Sequence, residues 1–317
     1  METAIEARSV RKHYRGAERP ALDGFDLRVA AGSVCALLGR NGAGKTTAVR
    51  ILTTLLAMDD GTATVAGHDV RADGDGVRRA IGLVGQNAAV DEILGGRANL
   101  VLFGRLRGLS KAAARARAAE LITRFGLDDA ADRAVGTYSG GMRRRLDLAA
   151  SLVLAPSVLF VDEPTTGLDP DARREVWGTV RRLVDDGVTV LLTTQYLEEA
   201  EELAGHVAML RDGRVVLEGS PAELTSLVGD TRVEATFEPA AADVAGAAAR
   251  VAEPYAVGPV AVSRSTVAVP VADAVAATRV CGAWAREGLE PHDVAVRRPT
   301  LDDVFMHVNR TVSEEAR

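Results

Sequence analysis

The sequence predicts an α/β fold: a mixed, largely parallel sheet with helices, joined by an antiparallel β region, a helical subdomain and a small α+β C-terminal domain. Three observations predict it. Apolar segments beginning at Val158, Val188 and Val207 alternate with helical ones, as in a parallel sheet. A glycine-rich loop, Gly39 to Thr47, lies between an apolar strand and a helix. Past about residue 228 the order becomes β-α-β-β-α-β, that of a small ferredoxin-like unit.

In chain order, residues 4–31 read as β-rich, with Phe25, Leu27 and Val29 alternating with polar residues. Val34 to Leu38 is apolar and bounded by Gly32 and Gly39, as a buried parallel strand is. A helix over about 45–57 follows, then strands at Thr62–Ala66 and Ile81–Val84. Residues 91–155 read as mostly helical. Within this stretch, Lys111–Phe125 is rich in Ala and Arg, with its arginines on a solvated face. Leu146, Ala150 and Val153 fall on one helical face. Strands recur at Val158, Val188, Val207 and Val215, the last two joined by an Asp212-Gly213 hairpin turn.

The domains are expected at 1–228 and 229–317. In the second, Thr231–Phe237, Val260–Val262, Thr266–Val271 and Val294–Arg298 read as strands, with a tight turn at Ser263-Arg264-Ser265. Ala240–Ala252, Asp273–Gly288 and Leu301–Val308 read as helices, and Trp284 packs in the small core. His292 and His307 are lone and read as structural or solvated.

Three patterns carry chemistry. Gly39-Arg40-Asn41-Gly42-Ala43-Gly44-Lys45-Thr46-Thr47 fits the phosphate-binding P-loop. Its glycines allow left-handed turns that aim backbone N–H groups inward at an anion. A helix beginning near Lys45 adds the positive end of its dipole. Lys45 would reach the β- and γ-phosphates, and the Thr46 hydroxyl would ligate Mg²⁺. Val158-Leu159-Phe160-Val161 then delivers Asp162 and Glu163 at the C-terminal end of a strand, where ligands bind in open α/β sheets. Asp162 would hold Mg²⁺ through water, and Glu163 would accept a proton from attacking water. Between these patterns, Ser139-Gly140-Gly141 opens a helix with Ser139 as N-cap. On its own it would be an ordinary capped helix. In a chain that already cradles one ATP, its target is the γ-phosphate of an ATP held by another copy. A helix terminus alone contributes only ~0.3–1 kcal/mol to an anion, so closure needs Ser139, both glycine amides and the P-loop together.

These residues resemble the nucleotide-binding subunit of an ATP-binding cassette (ABC) transporter over roughly residues 3–225. The resemblance implies a P-loop NTPase cassette that binds ATP and Mg²⁺. It implies a homodimer sharing two nucleotides, a separate integral membrane permease, and a place at the cytoplasmic face of the cell membrane. It implies that Tyr14 stacks on adenine, that Gln86 senses Mg²⁺ and faces the permease, and that Asp169 touches the opposite subunit. Met142 stands where the family's signature usually has Gln. Gln195 stands where a His is usual; an amide can still donate a hydrogen bond to a γ-phosphate oxygen but carries no titratable proton. The run Thr193 to Ala200 and the segment Pro299 to Phe305 are similar to the daunorubicin/doxorubicin-resistance type, which implies export of a drug or antibiotic. The C-terminal domain is then expected to dock on the second subunit or the permease.

Composition agrees. Hydrophobic content is 47% and charged content 26%, as in a globular chain. A net charge of −6 argues against a large nucleic-acid footprint. The longest apolar stretch, Leu148 to Val161, is split by Pro156 and falls short of the roughly 20 residues a spanning helix needs. No apolar signal segment is expected at the N-terminus. Cys35 and Cys281 are too few and too separate for a disulfide framework, so reduced, cytosolic surroundings are the default. A non-transport ABC ATPase acting on ribosomes or nucleic acid is the other reading; one cassette and no sustained heptads count against it. A metabolic P-loop kinase leaves Ser139 to Met142 unexplained.

The Gln195 departure generates a first prediction. Gln195→His is expected to keep ATPase activity and Gln195→Ala to lower it in a steady-state phosphate-release assay. Equal rates in the Ala variant and the parent would remove Gln195 from the site.

Overall fold

The computed structural model describes residues 2–85, 89–228, 231–238 and 243–306. The chain divides into two compact units, Met1–Pro221 and Ala222–Arg317. The break falls after the first residue of a short helix, Pro221–Ser226.

The first unit runs β1 (Thr3–Lys12), β2 (Leu22–Ala30), β3 (Val34–Leu38), α1 (Lys45–Leu52), β4 (Asp60–Val65), β5 (His68–Asp69), α2 (Gly74–Ala80) and β6 (Ile81–Val84). It continues with α3 (Gly96–Leu106), α4 (Lys111–Arg124), α5 (Gly140–Ser151), β7 (Val158–Asp162), α6 (Pro170–Asp185), β8 (Thr189–Thr194), α7 (Leu197–Leu203), β9 (His206–Arg211) and β10 (Arg214–Gly219). One antiparallel sheet has the order β2-β1-β4-β5; the other has the order β10-β9-β3-β8-β7-β6. In the second, β9, β3, β8, β7 and β6 are parallel and only β10 turns back. Its central strands β3, β7 and β8 are buried at every position, which is why they read as continuous apolar runs rather than alternating ones. Strand β2 does alternate, with Phe25, Leu27 and Val29 buried between exposed Asp26 and Arg28. The β9–β10 turn places Asp212 at φ 48 and Gly213 at φ 77, the two successive left-handed residues that such a hairpin requires. Ile5, Phe25, Leu37, Ile51, Val65, Phe160, Leu191 and Leu210 belong to one core that joins both sheets around α1.

Helix α1 stops at Leu52 rather than near 57. Thr54 takes φ 64, its N–H donates to the Ile51 carbonyl (3.0 Å), and the Leu55 N–H donates to the Arg50 carbonyl (2.8 Å). This is a Schellman-type stop with threonine where glycine is usual. Helix α5 also ends early, at Ser151. Ala150 is only half-buried, and the core positions are Leu146, Leu148 and Ala149.

The second unit contains α8 (Pro221–Ser226, whose first residue closes the first unit), β11 (Arg232–Thr236), α9 (Val244–Ala252), β12 (Ala261–Ser263), β13 (Thr266–Pro270), α10 (Ala274–Arg286) and β14 (Asp293–Arg297). Residues 301–306 are helical; the remainder of the helix expected to run to Val308, with His307, lies outside the described residues, as do residues 239–242 ahead of α9. The sheet order is β12-β13-β11-β14, with every pair antiparallel. Its core holds Val233, Ala235, Val267 and Val269 with Ala245, Ala248 and Val280. Trp284 is fully buried, stands edge-on to Phe237 with ring centroids 5.6 Å apart, and donates Nε1–H to the Ala248 carbonyl at 2.8 Å.

Trp284→Ala removes the largest buried side chain of this small core. It is expected to cost about 3–5 kcal/mol in the denaturant-induced unfolding of the second unit. A loss below about 1 kcal/mol would show that the unit does not depend on this core.

Candidate active site

The register of three parallel strands builds the site. Leu38 of β3 pairs with Thr194 of β8, and Thr193 of β8 with Asp162 of β7. The loops after β3 and β7 therefore leave the sheet at the same edge, the carboxyl end where open α/β sheets hold ligands. In the first loop Gly42 has φ 83 and Gly44 has φ 111, conformations that L side chains rarely adopt. A Cβ on Gly44 would lie 2.5 Å from the Ala21 carbonyl oxygen, and one on Gly39 2.5 Å from that of Leu210. The glycine spacing thus answers to backbone packing as well as to turn geometry.

A cleft of about 380 Å³ opens above this loop. It is lined by Ala21, Arg40, Asn41, Gly42, Gly44, Lys45, Thr46, Thr47 and Glu163. Ala43 is buried behind it. Lys45, at the first position of α1, is 5% exposed. Its ammonium donates to the carbonyls of Gly39 (2.7 Å) and Arg40 (3.3 Å) and lies 3.4 Å from Glu163 Oε1. Asp162 is buried; its Oδ1 accepts from the Thr193 hydroxyl and its Oδ2 from the Thr46 hydroxyl at 3.4 Å. Glu163 sits at φ 49, and its N–H donates to the Thr193 carbonyl (3.0 Å) and hydroxyl (3.2 Å). Tyr14 stands at the rim with its hydroxyl 3.3 Å from Thr47 Oγ1. The arrangement offers an anion the Lys45 ammonium and the N-terminus of α1 beside a glycine-rich loop. Beside them stand a carboxylate that can take a proton and a pair of oxygen donors suited to a hard cation.

Other residues singled out from the sequence lie elsewhere. Ser139 caps α5, its hydroxyl accepting from the Met142 N–H at 3.2 Å, and Asp169 caps α6 by accepting from the Ala172 N–H at 2.9 Å. Gly140 and Gly141 bring these two helix starts together: a Cβ on either would lie 3.1 Å from Leu168 Cδ2 or Ala172 Cβ respectively. None of the four lines the cleft. Gln195 is exposed just past β8 and does not line it either. Gln86 lies outside the described residues. Cys35 is buried in β3, and burial pushes its thiol up to about 12, so it packs rather than reacts.

Four residues beneath the cleft were not singled out from the sequence. Thr193 bridges Asp162 and Glu163. Arg144 and Asp147, one turn apart on α5, form a buried pair at 3.3 Å. Burial pulls the Arg144 guanidinium down and pushes the Asp147 carboxyl up, each against the attraction of the other. Glu199 of α7 is fully buried; its Oε1 accepts from Thr165 Oγ1 (2.9 Å) and Trp177 Nε1 (3.0 Å). Its Oε2 has no hydrogen-bond partner among the described residues. Burial raises its pKa, opposed by the bonds from Trp177 and Thr165 and by the Arg173 charge. The sequence signal for Arg144 and Asp147 was their i, i+3 spacing beside the buried run Leu146, Leu148 and Ala149.

The ABC transporter family matches residues 22–166 of the chain. The daunorubicin resistance ATP-binding protein DrrA2 of Streptomyces coeruleorubidus is 53% identical over 99% of this chain and 98% of its own. The doxorubicin resistance ATP-binding protein DrrA of Mycobacterium tuberculosis is 44% identical over 99% of this chain and 96% of its own. Among solved structures, a dimeric ATP-binding cassette in a post-hydrolysis state bound to ADP and Pi superposes with a TM-score of 0.61. It shares 25% identity and covers 68% of this chain and 98% of its own. Among the described residues, no helix is long and apolar enough to cross a membrane.

The buried Glu199 makes stability depend on pH. Its folded pKa lies above the ordinary 4.5, so the stability it contributes is complete below that value and is lost as pH rises through the folded pKa. Glu199→Gln, which mimics the neutral form, is expected to gain stability relative to the parent as pH climbs from 4.5 toward neutrality. Denaturation midpoints for the two proteins that stay parallel across that range would show that Glu199 does not titrate there.

Proposed function

The chain belongs to the ABC transporter family as an ATP-binding, ATP-hydrolysing subunit, and we propose that it powers a separate membrane permease that exports a drug or antibiotic. The observation that carries the catalytic part is the meeting of the Lys45 ammonium and the Glu163 carboxylate in one cleft, with the Thr46 and Asp162 oxygens beside them. The names of the full-length relatives support the drug-export part.

In this reading, the backbone N–H groups of Gly39 to Thr47 cradle the phosphates and Lys45 reaches the β- and γ-oxygens. Tyr14 stacks on adenine at the rim. The hydroxyl of Thr46 and, through water, the carboxylate of Asp162 would hold Mg²⁺; their oxygens fit a hard cation. When bound, the ion would neutralise negative charge on the phosphates. A water attacks the γ-phosphorus while its proton passes to Glu163. The bond from that phosphorus to the β,γ-bridging oxygen breaks, leaving ADP and phosphate. Thr193 orients Asp162 and the Glu163 backbone.

Ser139, Gly140 and Gly141 meet the γ-phosphate held by a second copy, with Asp169 at the same junction. Their exclusion from their own cleft supports this assignment. The homodimer sits at the cytoplasmic face of the membrane, with Gln86 toward the permease and Gln195 donating a hydrogen bond to the γ-phosphate.

Glu163→Gln keeps the size and hydrogen-bonding shape of the side chain but removes the base. Hydrolysis is expected to fall by about 10²- to 10⁴-fold while ATP still binds. Light scattering should then find an ATP-dependent dimer. A variant that stays monomeric at saturating ATP and Mg²⁺ would count against the shared-nucleotide assembly.

A further inference from the structure

We propose that Arg144 is the positioning residue for Glu163, fixing its backbone from behind and tying it to the helix that begins at Ser139. This rests on Glu163 being the base.

Glu163 holds a left-handed conformation, φ 49, that a residue with a side chain adopts only under outside restraint. From the β8 side the restraint is Thr193, whose carbonyl and hydroxyl accept the Glu163 N–H. From the other side it is Arg144. Its Nε donates to the Pro164 carbonyl at 2.9 Å and its Nη2 to the Asp162 carbonyl at 3.2 Å. Those are the two carbonyls flanking Glu163. The guanidinium is planar and presents its donors as a rigid fork, so two bonds fix the direction of this backbone as well as its place.

The third arm of the fork binds a different segment. Nη1 donates to the Gly85 carbonyl at 2.7 Å, beyond the end of β6, and lies 3.3 Å from Asp147 Oδ2. Asp147 in turn accepts the Ala89 N–H at 3.1 Å through Oδ1. One buried ion pair on α5 therefore holds Gly85, Ala89 and the backbone on both sides of the base. Its described hydrogen bonds reach none of the residues that line the cleft; beside the base they meet only the neighbours of Glu163 on either side.

A fold needs no charge here for stability alone. A buried ion pair can usually be replaced by apolar side chains of similar volume with little loss, because desolvation offsets the attraction. Three backbone carbonyls converging on one cation are a matter of geometry, and displacing a reacting group by about 1 Å can cost on the order of 100-fold in rate. Because Ser139 caps α5, the same cation joins the base of this chain to the helix assigned to the second copy's nucleotide.

The test uses the full chain carrying Arg144→Met with Asp147→Leu, which removes both members of the buried ion pair, and separately Arg144→Lys, which keeps the charge but loses the fork. Both are measured for cooperative unfolding, for ATP affinity by equilibrium dialysis with labelled ATP and Mg²⁺, and for turnover. The paired variant is expected to unfold cooperatively and bind ATP within about twofold of the parent, with turnover down about 100-fold. Arg144→Lys should fall between, and should carry the test alone if the paired variant does not fold. Added to Glu163→Gln, either change should lower the residual rate no further. Parental turnover in a folded variant overturns the proposal, as does an equal fall in affinity and turnover. If Glu163→Gln itself hydrolyses ATP at the parental rate, the base assignment fails and takes this proposal with it. A dead Glu163→Gln beside a fully active paired variant removes only the role of Arg144.

Discussion

The parallel register of β8 between β3 and β7 is the constraint on which the site depends. It sets Thr194 beside Leu38 and Thr193 beside Asp162. From Thr193 come the hydroxyl that Asp162 accepts and the two acceptors that hold the Glu163 N–H. Because side chains alternate along a strand, slipping β8 by one residue would turn that hydroxyl to the other face. The Lys45 loop and the carboxylate loop would still exist, but the threonine that fastens the second would be gone. Complete burial of β3, β7 and β8 guards the register, since both faces of each strand are packed and hydrogen bonds cannot be traded for water.

The polar shell beneath the cleft has a different physics from the cleft itself. Lys45 and Glu163 lie 3.4 Å apart where an anion can compete for the ammonium. Arg144, Asp147 and Glu199 face no such competitor. Burial shifts each of them against its charge, and for Arg144 and Asp147 the mutual attraction does not reverse the shift. Such groups add little net stability, but removing one partner leaves the other charged and dry, at a cost of about 3–5 kcal/mol. They make the backbone behind the cleft intolerant of small displacements, which a site built on strand ends needs.

Much of this was legible in the sequence, for identifiable reasons. The Gly39 to Thr47 loop and the run from Val158 to Glu163 could be read because each combines a buried strand with residues that the strand end must present. Strand Ile81–Val84 was placed to the residue, and the Asp212-Gly213 turn could be read because two successive left-handed residues need that chemistry. The end of α1 was not legible. Thr54 carries the left-handed stop, and threonine is no ordinary breaker; only the bonds from Thr54 and Leu55 back to Ile51 and Arg50 reveal it. The Arg144 pair was hidden by composition. Arg143, Arg144 and Arg145 look alike in sequence, yet successive residues on a helix point about 100° apart. Only Arg144 of the three turns fully inward; its neighbours pair with Glu92 and Glu175. Glu199 was hidden too, because its partners Thr165 and Trp177 are distant in sequence.

The serine–glycine turn shows how one short motif can satisfy two demands. Within this chain Gly140 and Gly141 have a packing role without any ligand: a Cβ on either would crowd Leu168 or Ala172 at 3.1 Å, so bare residues let the starts of α5 and α6 approach closely. The contact places two capped N-termini side by side, that of Ser139 and that of Asp169. Close packing of the glycines therefore locks the two caps to each other. Any force on Ser139 is felt at Asp169 through direct packing, and at the backbone around Glu163 through Arg144 on the same helix. The glycines serve first the joint between α5 and α6, and only a rigid joint can present a serine hydroxyl and two amides as a single surface.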